Sequence, residues 1–140
     1  MSAEDASARP IRNVLLLFGD QHRADVLGCY GNDVVRTPNL DALAARGVRC
    51  SRAFTPAGIC TPARACVQTG LAPREHGLIF NWEFQPFRGG LLDLPPEVRI
   101  FGQDLREAGW QCAHVGKWHI GNANPPGNYG YDGVYYHGYG

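Results

Sequence analysis

Apolar and polar positions alternate with different periods along this chain, and the periods mark its elements. Residues 14–18, VLLLF, form a continuous apolar run that stops at Gly19-Asp20. Five residues are too few for a buried helix and fit a strand covered on both faces, as in a parallel sheet. TPNLDALAARG predicts a helix with both ends marked. Thr37 is its cap, Pro38 suits the first turn, Gly47 suits a left-handed stop, and Leu40, Leu43 and Ala44 share one face. Residues 48–54, VRCSRAF, alternate in part and predict a second strand. Residues 62–69 predict a short helix with Thr61 as cap, Pro62 at its first position and Gly70 as its stop. A third helix starts near Ile100, with Phe101, Leu105 and Ala108 on one side and Gly109 as terminator. WQCAHV, residues 110–115, predicts a third strand that ends at Gly116-Lys117. The stretch LAPREHGLIFNWEFQPFRGG is looser, and the tail from Gly121 has no assignable period.

Strand, helix, strand, helix, strand is the α/β pattern. Such sheets bind ligands beyond the carboxyl ends of their strands. Three segments leave predicted strands there: GDQHRAD, TPAGICTPAR and GKWHIG. Together they carry an acid, an amide, a thiol, an arginine, a lysine and a histidine. The expectation is a shared rim on which Asp20, residue 60 and Lys117 meet.

Composition narrows the partners. A chain of 140 residues suggests one domain, able to bury about two thirds of its unfolded surface. Its formal net charge is zero, so no basic stripe exists to hold nucleic acid or an anionic membrane. The 18 glycines and 10 prolines fall mostly between periodic segments and indicate loops rather than disorder. The first residues lack a basic start leading into an apolar run, and VLLLF is too short for a signal core or a membrane span. The expected location is cytoplasmic. Five cysteines, an odd number without paired spacing, read as thiols of a reducing compartment.

Each chemical motif has two readings. In GDQHRAD, Asp20 and Gln21 are adjacent oxygen donors on a turn, suited to calcium, magnesium or manganese. Equally, Asp20 could cap a helix, with Gln21, His22 and Arg23 simply solvated. In CTPAR, Cys60 precedes a helix N-terminus, where unpaired N–H groups favour anions, and Arg64 projects about one turn along. That placement suits a nucleophile with an anionic substrate; the alternative is a buried thiol at a loop-to-helix junction. Cys29, Cys50, Cys66 and Cys112 are read as such buried thiols. In GKWHIG, Lys117 and His119 lie two apart, so in an extended segment they point the same way. A cation and an acid–base group then face one pocket; the alternative is a surface lysine and a structural histidine. A phosphate-binding P-loop is excluded, because Gln111 stands where its first glycine belongs and Trp118 follows the lysine. His114 and His119 are five apart, a poor metal-ligand spacing, and His114 is read as packed.

The pieces NVLLLFGDQHRAD, TPNLDALAARGVRC, CTPARACVQTG, REHG, GKWHIG and GYD, in that order, resemble the N-terminal part of a sulfatase of the alkaline-phosphatase-like superfamily. CTPAR with GKWHIG is the specific pair. The resemblance implies an incomplete α/β/α sandwich with a mostly parallel sheet. Residues 1–12 are then an N-terminal extension and residues 13–140 a partial sulfatase domain.

The same resemblance implies a sulfuric ester hydrolase in which a maturation enzyme, of the formylglycine-generating or anaerobic type, oxidises Cys60 to formylglycine. The hydrated aldehyde offers one hydroxyl to attack sulfur and a second whose deprotonation expels sulfate. Asp20, Gln21 and an oxygen of residue 60 would bind a divalent metal, calcium first, with manganese or zinc as alternatives. Arg64 would hold the hydrated group, Lys117 would pair with the sulfate, and His119 would assist the hydrated group or the leaving group. Asn81 would contact substrate oxygens. Gln21 replaces a second aspartate common in the family and resembles a subgroup that includes phosphonate monoester and phosphodiester hydrolases. Ala63 replaces the commoner serine but leaves Cys-x-Pro-x-Arg intact. Members of the family are several times longer, so the expectation is a fragment with little or no activity alone. A non-catalytic fragment is the remaining alternative.

Overall fold

The computed structural model describes residues 11–84, 89–133 and 135–136. The chain divides into two units, Met1–Gly47 and Val48–Gly140.

In the first unit, two short helical turns, Ala24–Val26 and Gly28–Tyr30, precede α1, Pro38–Arg46. Thr37 stands at the N-cap position, but its hydroxyl bonds no helix N–H. Its Oγ1 instead accepts the Gly28 N–H (2.8 Å) and donates to Asp41 Oδ1 (3.1 Å). Asp41 Oδ1 also accepts the Cys29 N–H at 2.6 Å. A carboxylate in the first turn of α1 thus gathers the preceding turn and complements the positive helix end. Gly47 has φ −119°, so α1 ends without the expected left-handed glycine.

The second unit carries α2 (Cys60–Thr69), α3 (Pro73–His76) and α4 (Phe101–Glu107). A pair of two-residue strands, β1 (Gly116–Lys117) and β2 (Tyr135–Tyr136), runs parallel, with Gly116 opposite Tyr135 and Lys117 opposite Tyr136. An isolated parallel bridge joins Ala113 to Asp132, with His114 N–H donating to Asp132 O at 2.7 Å. Residues 110–115 do not form the predicted third strand: Ala113 alone pairs, as this isolated bridge, and the paired strand β1 lies just beyond. Among the described residues, neither 14–18 nor 48–54 forms a strand. Val14, Leu15 and Leu17 are 65%, 80% and 73% exposed. An apolar run shows which residues want cover, but a ladder needs a partner strand, and here the sequence pattern outran the pairing.

All three predicted helices are present. Gly70 closes α2 in the left-handed conformation (φ 72°), its N–H donating to Cys66 O. At the end of α4, Gly109 (φ 88°) donates to Arg106 O and Trp110 to Leu105 O, both at 3.0 Å. This double bond pattern is the Schellman stop, and it needs the positive φ that glycine allows. α2 begins two residues earlier than expected: Ile59, extended at φ −126° and ψ 157°, is its N-cap, and Cys60 is its first residue. Thr61 and Pro62 therefore lie inside the first turn.

The core of the second unit joins Ala65 of α2 to Leu78, Leu94, Ile100, Trp118 and Ile120, all at most 1% exposed. Cys112 is buried as expected, Cys29 and Cys66 are half-buried, and Cys50 is exposed, against expectation. Among the described residues, no helix is long and apolar enough to cross a membrane.

Gly102 shows how closely α4 approaches this core. A Cβ there would lie 2.3 Å from Tyr131 Cζ and 2.5 Å from its hydroxyl oxygen. Alanine is the better helix former by about 1 kcal/mol, yet the Tyr131 ring is 8% exposed and held by its bond to Gln68. Gly102→Ala is expected to cost about 1–3 kcal/mol through overpacking, read as a lower urea midpoint.

Candidate active site

Cys60 opens α2, half-buried, at the end where helix N–H groups lack intrahelical acceptors. The first turn of α2 holds no acidic side chain of its own to offset its positive end. The Asn81 side chain accepts one of the orphan donors: Thr61 N–H reaches Asn81 Oδ1 at 2.9 Å. Pro62 has no N–H to satisfy. Asn81, expected to touch substrate, thus also holds the start of the helix that carries residue 60.

One turn along α2, Arg64 is 8% exposed. Its Nη1 donates to the Lys117 carbonyl at 2.8 Å, across 53 residues of sequence. The same carbonyl lies 3.3 Å from His114 Nε2. A carbonyl only accepts, so His114 carries its proton on Nε2. The His114 ring meets Trp118 and Tyr131 edge-on, at centroid distances of 5.2 and 5.9 Å. Burial holds His114 below the ordinary histidine range, despite its bond to the Lys117 backbone. His114 is packed, as expected, and the backbone at Lys117 is fixed from two directions.

His119 is wholly buried, and its φ is +56°. That left-handed turn breaks the rule that residues two apart point alike. Trp118, His119 and Ile120 are consecutive and all at most 1% exposed, whereas Lys117 is half-buried. The reasoning that Lys117 and His119 point alike because the segment is extended does not hold here. Burial lowers the pKa of His119, Glu83 pulls it back up, and the charges of Lys117 and Arg64 lower it again. Burial, the largest of these effects, favours the neutral imidazole.

The residue that sequence reasoning missed is Glu83. Its Oε1 lies 2.9 Å from His119 Nε2. Glu83 sits in the short turn Trp82–Phe84, two positions after Asn81. One turn thus reaches both the start of α2 and His119. An acid within the aromatic stretch FNWEF was the available signal.

Asp20 and Gln21 belong to the first unit, on an exposed turn where Gln21 has φ 51°. The next helical turn starts at Ala24 with Arg23 as its N-cap, so Asp20 does not take the helix-capping role considered above. Their oxygens suit a hard cation in kind. They do not suffice in number. Calcium takes about six to eight oxygens, and no group of three or more His, Cys, Asp or Glu gathers among the described residues.

Within the second unit, then, a helix start, a buried arginine and a buried imidazole are tied into one framework. The family model described as Sulfatase matches residues 12–140, and the chain belongs to the sulfatase family. It is 37% identical to human arylsulfatase H over 118 residues, covering 82% of this chain and 21% of that protein. It is 39% identical to human arylsulfatase A, covering 86% and 23%. With the N-acetylglucosamine-6-O-sulfatase of Bacteroides thetaiotaomicron it shares 31% identity, covering 84% and 19%. Among solved structures, Ps i-CgsB superposes with a TM-score of 0.72 at 31% identity, over 81% of this chain and 25% of that one. The putative sulfatase yidJ from Bacteroides fragilis gives 0.63 at 31% identity, over 76% and 23%. The fold is that of the sulfatases, and the chain spans about a fifth to a quarter of the length of these proteins.

Proposed function

We propose that the protein hydrolyses small-molecule sulfate esters through residue 60 after its oxidation to formylglycine. The observation that carries this reading is Cys60 at the acid-free N-terminus of α2, with Arg64 of the same helix bonded to the Lys117 backbone. Once oxidised to the aldehyde and hydrated by one water, residue 60 would offer two hydroxyls on one carbon: one to attack sulfur as the alcohol leaves, the other to lose its proton, re-form the aldehyde and release sulfate. The helix N-terminus and the Arg64 guanidinium hold negative charge beside it. Lys117 contributes a cation for the sulfate oxygens. His119 is buried, and burial favours the neutral imidazole, the form that can accept a proton. A divalent cation, calcium first, would find two oxygen donors in Asp20 and Gln21, completed by donors beyond them. We further propose that these parts work within a complete α/β/α sandwich. The names of these relatives span aryl and amino-sugar sulfates, so the shared chemistry is the ester and not its organic part.

Conversion of Cys60 tests this reading without requiring a finished metal site. Thr61, Pro62 and Arg64 are buried in the folded chain, so a maturation enzyme reading Cys-x-Pro-x-Arg must meet the segment before folding. Co-expression is the appropriate format. The peptide containing residue 60 is expected to exchange one sulfur and two hydrogens for one oxygen by mass. A peptide that stays wholly cysteine under those conditions overturns the assignment.

A further inference from the structure

We propose that Glu83 is a positioning residue that holds the His119 imidazole in one orientation and in its Nε2–H tautomer. The proposal rests on the reading above only in calling His119 part of the site. Its geometry stands independently.

His119 Nε2 and Glu83 Oε1 are 2.9 Å apart. The ring is wholly closed to solvent, and the Glu83 side chain is 23% exposed. A carboxylate can only accept from a neutral imidazole, so Nε2 carries the hydrogen and Nδ1 keeps the lone pair. Without that acceptor, the Nε2–H tautomer loses this stabilising bond. The ring also hangs from a left-handed backbone (φ 56°), where a non-glycine residue persists only when its surroundings hold it. Glu83 is 36 residues away in sequence, so this is a tertiary contact and not a local one. It is made from the same turn whose Asn81 accepts the Thr61 N–H. The turn therefore couples the orientation of His119 to the start of the helix that bears residue 60. The charged groups acting on His119 are Glu83, which favours its protonation, and Lys117 and Arg64, which oppose it.

Imidazole nitrogen NMR on the full 140-residue chain tests the proposal with Cys60 unmodified, so failure of Cys60 conversion and failure of this proposal remain separate results. At pH 7.5 His119 is expected to show the Nε2–H signature alone; an Nδ1–H signature, or an even mixture, overturns the proposal. Glu83→Gln keeps an acceptor oxygen and is expected to preserve the tautomer. The same variant should move protonation of His119 to lower pH by about one unit, because an opposite charge is lost. Glu83→Leu removes the acceptor and is expected to give mixed tautomers. A Leu variant with the parent signature would leave Glu83 merely filling space. If that variant fails to fold, the unaltered protein and the Gln variant decide the matter, and a titration unchanged in Gln overturns the proposal.

Discussion

Lowering the pH from 7 to 5 is expected to remove much of the stability of the second unit. Three histidines, His76, His114 and His119, are held below the ordinary range, each chiefly by burial. The bonds that oppose burial, from Glu83 to His119 and from backbone groups to His76 and His114, do not reverse the direction. In the unfolded chain each ring takes up a proton near pH 6.5, while the native ring resists. The unfolded state then binds more protons, so stability falls as pH falls. The loss begins near pH 6.5 and continues until the native rings protonate. Each ring contributes at most about 1.4 kcal/mol per pH unit, or about 2 kcal/mol between pH 6.5 and 5. A ring meets this bound when it stays neutral throughout that range, and the wholly buried His76 and His119, at 1% and 0% exposed, are expected to carry more of the effect than half-buried His114. A domain holds about 5–15 kcal/mol in total, so even part of that bound is a measurable share. The carboxylates of Asp25 and Glu107 are exposed, and their lowered pKa values act only in a more acidic window. Urea midpoints at pH 7.5, 6.5, 5.5 and 5.0 should fall steadily below pH 6.5, and His76→Gln should flatten the slope. Equal midpoints across that range would contradict the burial of these rings.

The sequence and the folded chain agree where a feature is written in neighbouring residues. α1, α2 and α4 follow from helical spacing and from their turn residues, and Gly70 and Gly109 stop two of them as glycine should. Cys60, Arg64 and Lys117 were legible because CTPAR and GKWHIG are local signatures. Disagreement begins where a feature depends on distant chain. An apolar run such as 14–18 states a wish for cover but names no partner. The start of α2 moved from Pro62 to Cys60 because Ile59 is extended, and Asn81, 20 residues on, accepts the Thr61 N–H. Glu83 was invisible for the same reason: an acid between Trp82 and Phe84 gains its meaning only when His119 arrives beside it. The period-two argument for GKWHIG failed on one dihedral, the positive φ of His119, which no count of apolar positions encodes.

Trp118→Ala is expected to be the most damaging single truncation, at about 3–5 kcal/mol. Trp118 is 1% exposed. Its ring lies 5.2 Å from His114, 5.7 Å from Tyr129 and 6.3 Å from Tyr131, centroid to centroid. Its Nε1–H donates to Asn124 O at 2.9 Å, which fixes the loop before the turn Pro126–Tyr129. Alanine would open a cavity among three rings and leave the Asn124 carbonyl without that donor. Trp118→Phe would keep most of the packing and lose the hydrogen bond, so its cost should be nearer 1–2 kcal/mol. The comparison bears on function because Trp118 stands between Lys117 and His119. The Lys117 carbonyl receives Arg64 from α2, and His119 meets Glu83 from the turn beside α2. An anchor removed between them should loosen both contacts together. Thermal unfolding should rank the native chain above Phe and Phe above Ala. In the same variants, the Nε2–H signal of His119 should persist in Phe and broaden in Ala. An Ala variant that loses stability yet keeps that signal sharp would show that the core and the His119–Glu83 contact are held separately.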